Sequence, residues 1–243
     1  MSAPVRSAMV LAAGHGTRLL PLTRTRPKAL VKVNGRALLD HQLDRLAAAG
    51  VRRAVVNVHH FASQVEAHLA RRTGAPDIII SDERDLLLDT GGALVKARPH
   101  LGEAPFFVMN CDALWDDVQA DPLCALQQRL QSAPAPAAVL LLARRSHALG
   151  LQTRGDFDCG PGDRLRRPHA GESVPYYYAG TQVLHPALLD GHEARPFSAN
   201  VLWNEALAAG ALFGRVLDGF WLHVGDPQAL QAANERLGAQ VRP

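Results

Sequence analysis

Apolar residues fall along this chain in short, nearly unbroken runs, separated by longer stretches in which they recur every three or four positions. Residues 8–13, 54–58, 77–80, 105–109 and 137–143 are runs of the first kind. Their length is that of strands buried on both faces. Ile78, Ile79 and Ile80 are β-branched, which suits a strand further. Between the runs, Leu39, Leu43, Leu46 and Ala47 share one helical face, and Gly50 follows as a C-cap residue would. Val65 and Leu69 mark a short helix over 62–72, residues 92–98 predict a helix stopped by Pro99, and residues 120–130 predict another. Strands alternating with helices of this length predict an α/β fold, with a Rossmann-like, mostly parallel sheet and helices on both faces. Ligands in such folds lie at the carboxyl ends of the strands.

The rhythm changes further along. Residues 132–136 form an Ala/Pro linker. Residues 155–158 and 176–180 read as two strands around a segment, 160–175, rich in Gly, Pro and Arg. That pattern predicts a small antiparallel excursion rather than another βαβ unit. A helix over 198–209, strands over 212–217 and 220–224, and a closing helix over 227–237 complete the chain. Asp226 is placed to cap the last helix, with Pro227 at its first position. There are no internal repeats, and residues 1–243 read as one domain.

Composition narrows the function classes. The 243 residues are 47% hydrophobic and 20% charged, ordinary for a globular protein. The net charge of +3 is modest and dispersed, which argues against a nucleic-acid partner. Cys111, Cys124 and Cys159 form no C-x-x-C pair, as expected of reduced thiols in the cytoplasm. The first residues lack the apolar centre of a signal peptide, and no apolar run approaches a membrane span. A cytoplasmic protein without a membrane partner is the expectation.

The first apolar run breaks into Leu11, Ala12, Ala13, Gly14, His15, Gly16, Thr17 and Arg18, and Lys28 follows Pro27. Gly14 and Gly16 let the backbone turn and bring N–H groups to an anion. Ala12 and Ala13 leave room for a flat group, and Arg18 and Lys28 can reach phosphate oxygens. A nucleoside triphosphate is the simplest ligand for such a surface. No lysine follows Gly16, so this is not a Walker loop. Leu19 stands where a dinucleotide fingerprint needs its third glycine, and Pro21 and Pro27 forbid a continuous helix, which disfavours an NAD-dependent oxidoreductase. Lysine occurs only at 28, 32 and 96 in an arginine-rich chain, a hint that a compact ammonium is wanted at Lys28. Asp112 ends an apolar strand, where a carboxylate can hold a hard cation or cap a turn. Cys111 beside it has no arranged His or Asp and reads as buried and inert. His59 and His60, adjacent in a strand, point to opposite faces and read as structural.

These residues carry a resemblance. The run from Leu11 to Arg18, with Pro27-Lys28 and Leu30-Val31 after it, resembles the signature of nucleotidyltransferases that make nucleotide sugars. The likeness covers nearly the whole chain. Leu88-Asp-Thr-Gly-Gly92 and Gly155-Asp-Phe157 make it most similar to stand-alone N-acetylmuramate-1-phosphate uridylyltransferases, with mannose-1-phosphate guanylyltransferases as near relatives. No hexapeptide-repeat tail is seen, so the bifunctional members are not expected. The resemblance implies a nucleotide-binding half over about 1–112 and a sugar-binding half over about 113–243. It implies that Leu11, Ala12, Ala13, Gly14, Gly16, Thr17, Arg18, Lys28, Thr90 and Gly91 bind the nucleotide. Asn110, Gly155, Asp156 and Gly180 would bind the sugar, with the excursion over the sugar side. Arg18, Lys28 and Asp112 would be catalytic, and Asp112 with His223 would hold Mg²⁺, or Mn²⁺ in its place. His223 is a departure, because the family commonly has Asp there as the second metal ligand.

The implied reaction joins a nucleoside triphosphate, UTP first, to a sugar 1-phosphate, N-acetylmuramic acid 1-phosphate first, in the recycling of peptidoglycan sugars. That sugar carries a lactyl carboxylate, and Arg164, Arg166 and Arg167 lie in the expected sugar-side loop. GTP with mannose 1-phosphate is the alternative chemistry. A nucleotide-sugar-binding regulator that lost turnover through His223 is the alternative class. A monomer and a homodimer are both compatible with the sequence.

Overall fold

A computed structural model describes residues 4–132, 135 and 137–239. The expected linker at 132–136 lies outside the described residues except for Ser132 and Ala135. In chain order, β1 (Ser7–Leu11) leads through three single 3₁₀ turns to the hairpin β2 (Lys32–Val33) and β3 (Arg36–Ala37), then α1 (Leu38–Ala48). There follow β4 (Arg53–Val58), α2 (Ala62–Leu69), β5 (Asp77–Asp82), α3 (Asp89–Leu101), β6 (Phe106–Asn110), β7 (Ala113–Asp116), α4 (Pro122–Leu130) and β8 (Ala138–Arg144). The remainder is β9 (Ala148–Leu149), β10 (Asp158–Cys159), β11 (Leu165–Arg166), β12 (Tyr176–Leu184), α5 (Asn200–Ala208), β13 (Leu212–Val216), β14 (Phe220–His223) and α6 (Pro227–Ala239).

Seven strands form the central sheet in the order β13-β8-β12-β6-β1-β4-β5. β1 runs parallel to β4 and β6, β4 to β5, and β13 to β8. β12 is antiparallel to both of its neighbours. The alternation of side chains along β1 shows why both faces are covered. Ala8 and Val10 enter a core with Leu39, Leu43 and Leu46 of α1, Val65 of α2 and Leu126 of α4. Met9 enters a second core with Leu94 and Ala97 of α3 and Leu202 and Trp203 of α5. The mostly parallel, Rossmann-like sheet expected from the apolar runs is the fold observed.

Three expectations are corrected. The strand foreseen at 176–180 is the first half of the nine-residue β12 and belongs to the central sheet. It is held there because Val183 packs into one core and Leu184 into the other. The antiparallel excursion is smaller than expected, a hairpin of β10 and β11, with Phe157 bridging to Tyr176. Pro99 does not stop α3, which begins at Asp89 and runs to Leu101. So close to the C-terminal end, the missing N–H of Pro99 removes one helical bond, and burial of Leu101 outweighs that loss.

β7 was not foreseen. It pairs antiparallel with β14, which pairs parallel with β9, giving a second, three-stranded sheet. That sheet, α6 and the turns after β1 enclose a third core of Leu19, Val31, Leu38, Leu114, Leu222, Val224 and Ala233. Its register sets His223 opposite Ala113, one residue beyond Asp112. Among the described residues, no helix is long and apolar enough to cross a membrane.

Candidate active site

At the carboxyl end of β1 the chain turns at Gly16, whose φ of 66° lies in the left-handed region. The carbonyl of Gly16 accepts from the Leu19 amide at 2.9 Å and from Thr23 Oγ1 at 2.9 Å, which fixes the loop. A Cβ on Gly16 would lie 2.9 Å from Lys28 Cβ, so the glycine is what lets Lys28 approach the loop. Gly14 differs. A Cβ there would meet no protein atom within 4 Å and would project into open space. That space is a cavity of 440 Å³ lined by every residue from 11 to 18, by Lys28, Asn57, Thr90, Asn110 and Asp112, and by Gly225. A second cavity of 290 Å³ shares Leu11, Asp89, Thr90 and Asn110 with the first and extends to Asp156, Arg167, Tyr178 and Trp203.

Four charged or titratable groups stand in a chain, of which Arg18, Lys28 and Asp112 line the first cavity and His223 lies behind them. Lys28 Nζ donates to Asp112 Oδ2 in an ion pair shielded from solvent. His223 Nδ1 lies 3.9 Å from the same carboxylate oxygen, and its Nε2 lies 3.4 Å from an Arg18 nitrogen. Burial by itself would raise the Asp112 carboxyl. The charge of Lys28, then that of His223, overrides it and holds Asp112 below its ordinary value. Burial lowers His223, partly opposed by Asp112 and assisted by Lys28 and Arg18. Gly225 fits closely over this histidine, since a Cβ there would be 2.8 Å from His223 Nε2. Asp226 caps α6 as expected, accepting from the Ala229 amide at 2.8 Å. Cys111 is buried, and burial with the neighbouring charge of Asp112 pushes its thiol up to about 12. It is a poor nucleophile, as its sequence surroundings suggested.

Asn57, in the wall of the first cavity, and the buried Glu83 behind it were missed. Asn57 Oδ1 accepts from the Ala12 amide at 2.8 Å, and its Nδ2 donates to Glu83 Oε1 at 2.8 Å. The other carboxylate oxygen of Glu83 accepts from the Leu88 amide at 3.0 Å. One buried relay thus ties the glycine loop to the segment that opens α3.

In that segment Leu87, Asp89 and Thr90 face the first cavity. Gly91 does not face it. Its amide donates to the Phe197 carbonyl at 2.8 Å, and a Cβ would lie 2.3 Å from the Phe197 ring. The Gly92 amide donates to the same carbonyl at 3.3 Å. These glycines let the chain around 195–197 pack on α3, and Gly91, expected to bind the nucleotide, lies behind Thr90 rather than among the residues lining the cavity.

On the other side, Asn110 and Asp156 line the second cavity, and Asp156 Oδ2 accepts from the Tyr178 amide at 2.9 Å. Gly155 and Gly180 are not among the residues lining either cavity. Both have positive φ, and added Cβ atoms would strike Val174 O at 2.3 Å and Ala113 Cβ at 2.5 Å. Gly180 lies at the bulge where the β12–β8 register shifts. His59 Nδ1 contacts the Glu83 carbonyl at 2.7 Å, and the rings of His59 and His60 each stand 5.3 Å from that of His15. Among the described residues, no three His, Cys, Asp or Glu side chains are grouped to hold a metal. One carboxylate with one imidazole is a sparse set, and it fits an octahedral ion that keeps waters and shares substrate phosphates.

Comparison with known proteins agrees with this geometry. Residues 7–148 match the family described as Nucleotidyl transferase. The chain is 45% identical over 240 residues to an N-acetylmuramate alpha-1-phosphate uridylyltransferase of Caulobacter vibrioides, covering 98% of this chain and 99% of that one. It is 33% identical over 237 residues to a protein of the same name from Neisseria meningitidis, covering 96% and 98%. Among solved structures, a UDP-glucose pyrophosphorylase complexed with UDP-glucose has the same fold, with a TM-score of 0.79 at 13% identity over 97% of this chain and 99% of that one.

Proposed function

This chain belongs to the nucleotidyl transferase family, and we propose that within it the chain joins UTP to N-acetylmuramic acid 1-phosphate, giving UDP-N-acetylmuramic acid and pyrophosphate. The observation that carries the transfer is the meeting of two cavities at Leu11, Asp89, Thr90 and Asn110, one walled by the glycine loop, Lys28 and Asp112 and the other by Asp156, Tyr178 and Trp203. The choice of substrates is drawn from the two uridylyltransferases that the chain resembles over nearly its full length. On this reading residues 1–112 form the nucleotide half and 113–243 the sugar half, although His223 and Gly225 return to the phosphates.

An oxygen of the sugar phosphate attacks the α-phosphorus of UTP, and pyrophosphate departs from the opposite side. The attacking phosphate is already ionised at neutral pH, so no general base is required. Catalysis is alignment and charge neutralisation. Arg18 and the loop amides hold the departing pyrophosphate. Lys28 steadies the α-phosphate, and its pairing with Asp112 fixes the ammonium against the glycine loop beforehand. Asp112, kept ionised by Lys28, is the carboxylate that would hold Mg²⁺ or Mn²⁺, with His223 beside it. Such an ion, when bound, screens the repulsion between the two reacting anions. The three free cysteines support a reducing compartment, in keeping with recycling of peptidoglycan sugars in the cytoplasm.

The test is pyrophosphate release from UTP, GTP, CTP and ATP against a panel of sugar 1-phosphates. UTP with N-acetylmuramic acid 1-phosphate is expected to be fastest. Faster turnover of GTP with mannose 1-phosphate would replace the substrate assignment, and no release from any pair would remove the activity.

A further inference from the structure

Three arginines lie close together in the segment over the second cavity, and the structure separates them. Arg164 is exposed and donates to the Gly210 carbonyl at 2.8 Å. Arg166 is exposed and ion-paired to Asp158 at 2.9 Å and to Glu172 at 2.7 Å. Arg167 alone of the three lines the cavity. Strand alternation accounts for the exposure of Arg164 and Arg166. Leu165 of β11 is buried in the second core, Arg164 and Arg166 on either side of it are exposed, and Arg167, just past the strand, is half-buried.

Arg167 is held like a reading group. Its guanidinium carbon stands 4.3 Å from the Phe157 ring centroid and 5.7 Å from that of Trp203, contacts that favour a cation. Asn200 Oδ1 accepts from one terminal nitrogen at 2.5 Å. Among the described residues, no carboxylate lies within ion-pair distance of this guanidinium. Asp156 acts on it from farther off, and burial pulls Arg167 below the usual guanidinium value. A half-buried arginine, oriented by two rings and one amide and lacking an anionic partner, is costly unless a ligand supplies the anion.

We propose that Arg167 determines acceptor specificity by binding a carboxylate carried on the sugar, so that acidic sugar 1-phosphates are selected over neutral ones. This rests on the substrate reading above, because the lactyl group of N-acetylmuramic acid supplies that carboxylate. The guanidinium offers a planar fork that matches a carboxylate, a match that neither Asn110 nor Gln182 in the same cavity wall can make.

The experiment compares N-acetylmuramic acid 1-phosphate with its lactyl methyl ester, with UTP, in the wild-type protein and in Arg167→Gln and Arg167→Lys. The wild type should favour the acid over the ester by about 10- to 100-fold in kcat/KM, the range for a hydrogen bond to a charged group. Arg167→Gln should erase that preference, mainly by raising KM for the acid, with the ester little affected. Arg167→Lys should recover part of it. Equal use of acid and ester by the wild type overturns the proposal while leaving the substrate reading intact, and needs no variant to fold. An equal fall for acid and ester in Arg167→Gln also overturns it, since the arginine would then serve the phosphate or the packing on Phe157 and Trp203. Preference of the wild type for neutral sugar 1-phosphates overturns both this proposal and the reading beneath it.

Discussion

Asn57 donates its side-chain amide to the buried carboxylate of Glu83 at 2.8 Å, and its carbonyl oxygen accepts the main-chain N–H of Ala12 at 2.8 Å. Asn57 is next to last in β4, and Glu83 follows the last residue of the neighbouring parallel strand β5. Through them the glycine loop and the start of α3 are set at a fixed spacing across the first cavity.

Asn57→Ala should therefore damage both stability and nucleotide binding. The substitution strands the Ala12 amide and removes one partner of a carboxylate that is 1% exposed. A hydrogen bond to a charged group is worth about 1.5–3 kcal/mol, and a loss of that size is expected in urea unfolding. KM for UTP should rise while KM for the sugar phosphate changes less. An unchanged unfolding midpoint would show that water replaces the lost partner.

Lys28→Ala should lower kcat about 100- to 1,000-fold, by analogy with removal of one preorganised donor at a developing charge. The basis is the position of Lys28 against Gly16 and its pairing with Asp112. Steady-state rates of pyrophosphate release check it, with circular dichroism confirming the fold. Near-normal turnover in a folded protein would remove Lys28 from the mechanism.

Glu172 should titrate at about 2. Hydrogen bonds from Arg166 and from the His169 amide hold its carboxylate down. A folded value below the unfolded one, about 4.3, means the interaction stabilises the hairpin of β10 and β11 above that pH. The contribution is lost as pH falls through about 2. Carboxyl-carbon NMR across acid pH reads the shift directly, and Arg166→Ala should move the midpoint most of the way back to the ordinary value.

The architecture was legible because the strands of a parallel sheet announce themselves as apolar runs, and the helices over them repeat at 3.6 residues. Leu39, Leu43 and Leu46 were read correctly for that reason. β7 was not legible, because Ala113-Leu-Trp-Asp116 follows β6 after only two residues and looks like its continuation. The sequence also showed that Gly91 mattered without showing why. Only the packing of Phe197, a hundred residues away, distinguishes crowding from ligand contact. Asn57 and Glu83 carried no signal, since a lone polar residue at a strand end acquires meaning from the neighbouring strand. Arg167 was visible within a basic cluster, and only its place in the cavity wall, just past the end of β11, singles it out.

His223 gives the last prediction. Its imidazole stands 3.9 Å from the Asp112 carboxylate and 3.4 Å from Arg18, between the two groups that would face the metal and the phosphates. Imidazole is a softer, neutral ligand, whereas Mg²⁺ prefers oxygen in octahedral geometry. Substrate oxygens and water can complete a shell around Asp112, which leaves His223 free to meet a phosphate as a donor. Turnover should therefore require a divalent ion and be abolished by a chelator. Asp112→Asn should lose most activity. His223→Ala should weaken activity about 10- to 100-fold, as loss of a group supporting a metal site does. His223→Asp adds a second hard oxygen ligand, and activity with Mg²⁺ should be kept or raised. The same variant would put a second carboxylate beside Asp112, so added Mg²⁺ should raise its stability more than it raises that of the wild type. Thermal melts with and without Mg²⁺ read that difference apart from turnover. If His223→Asp abolishes activity in a folded protein while Asp112→Asn leaves it untouched, the metal does not sit at Asp112.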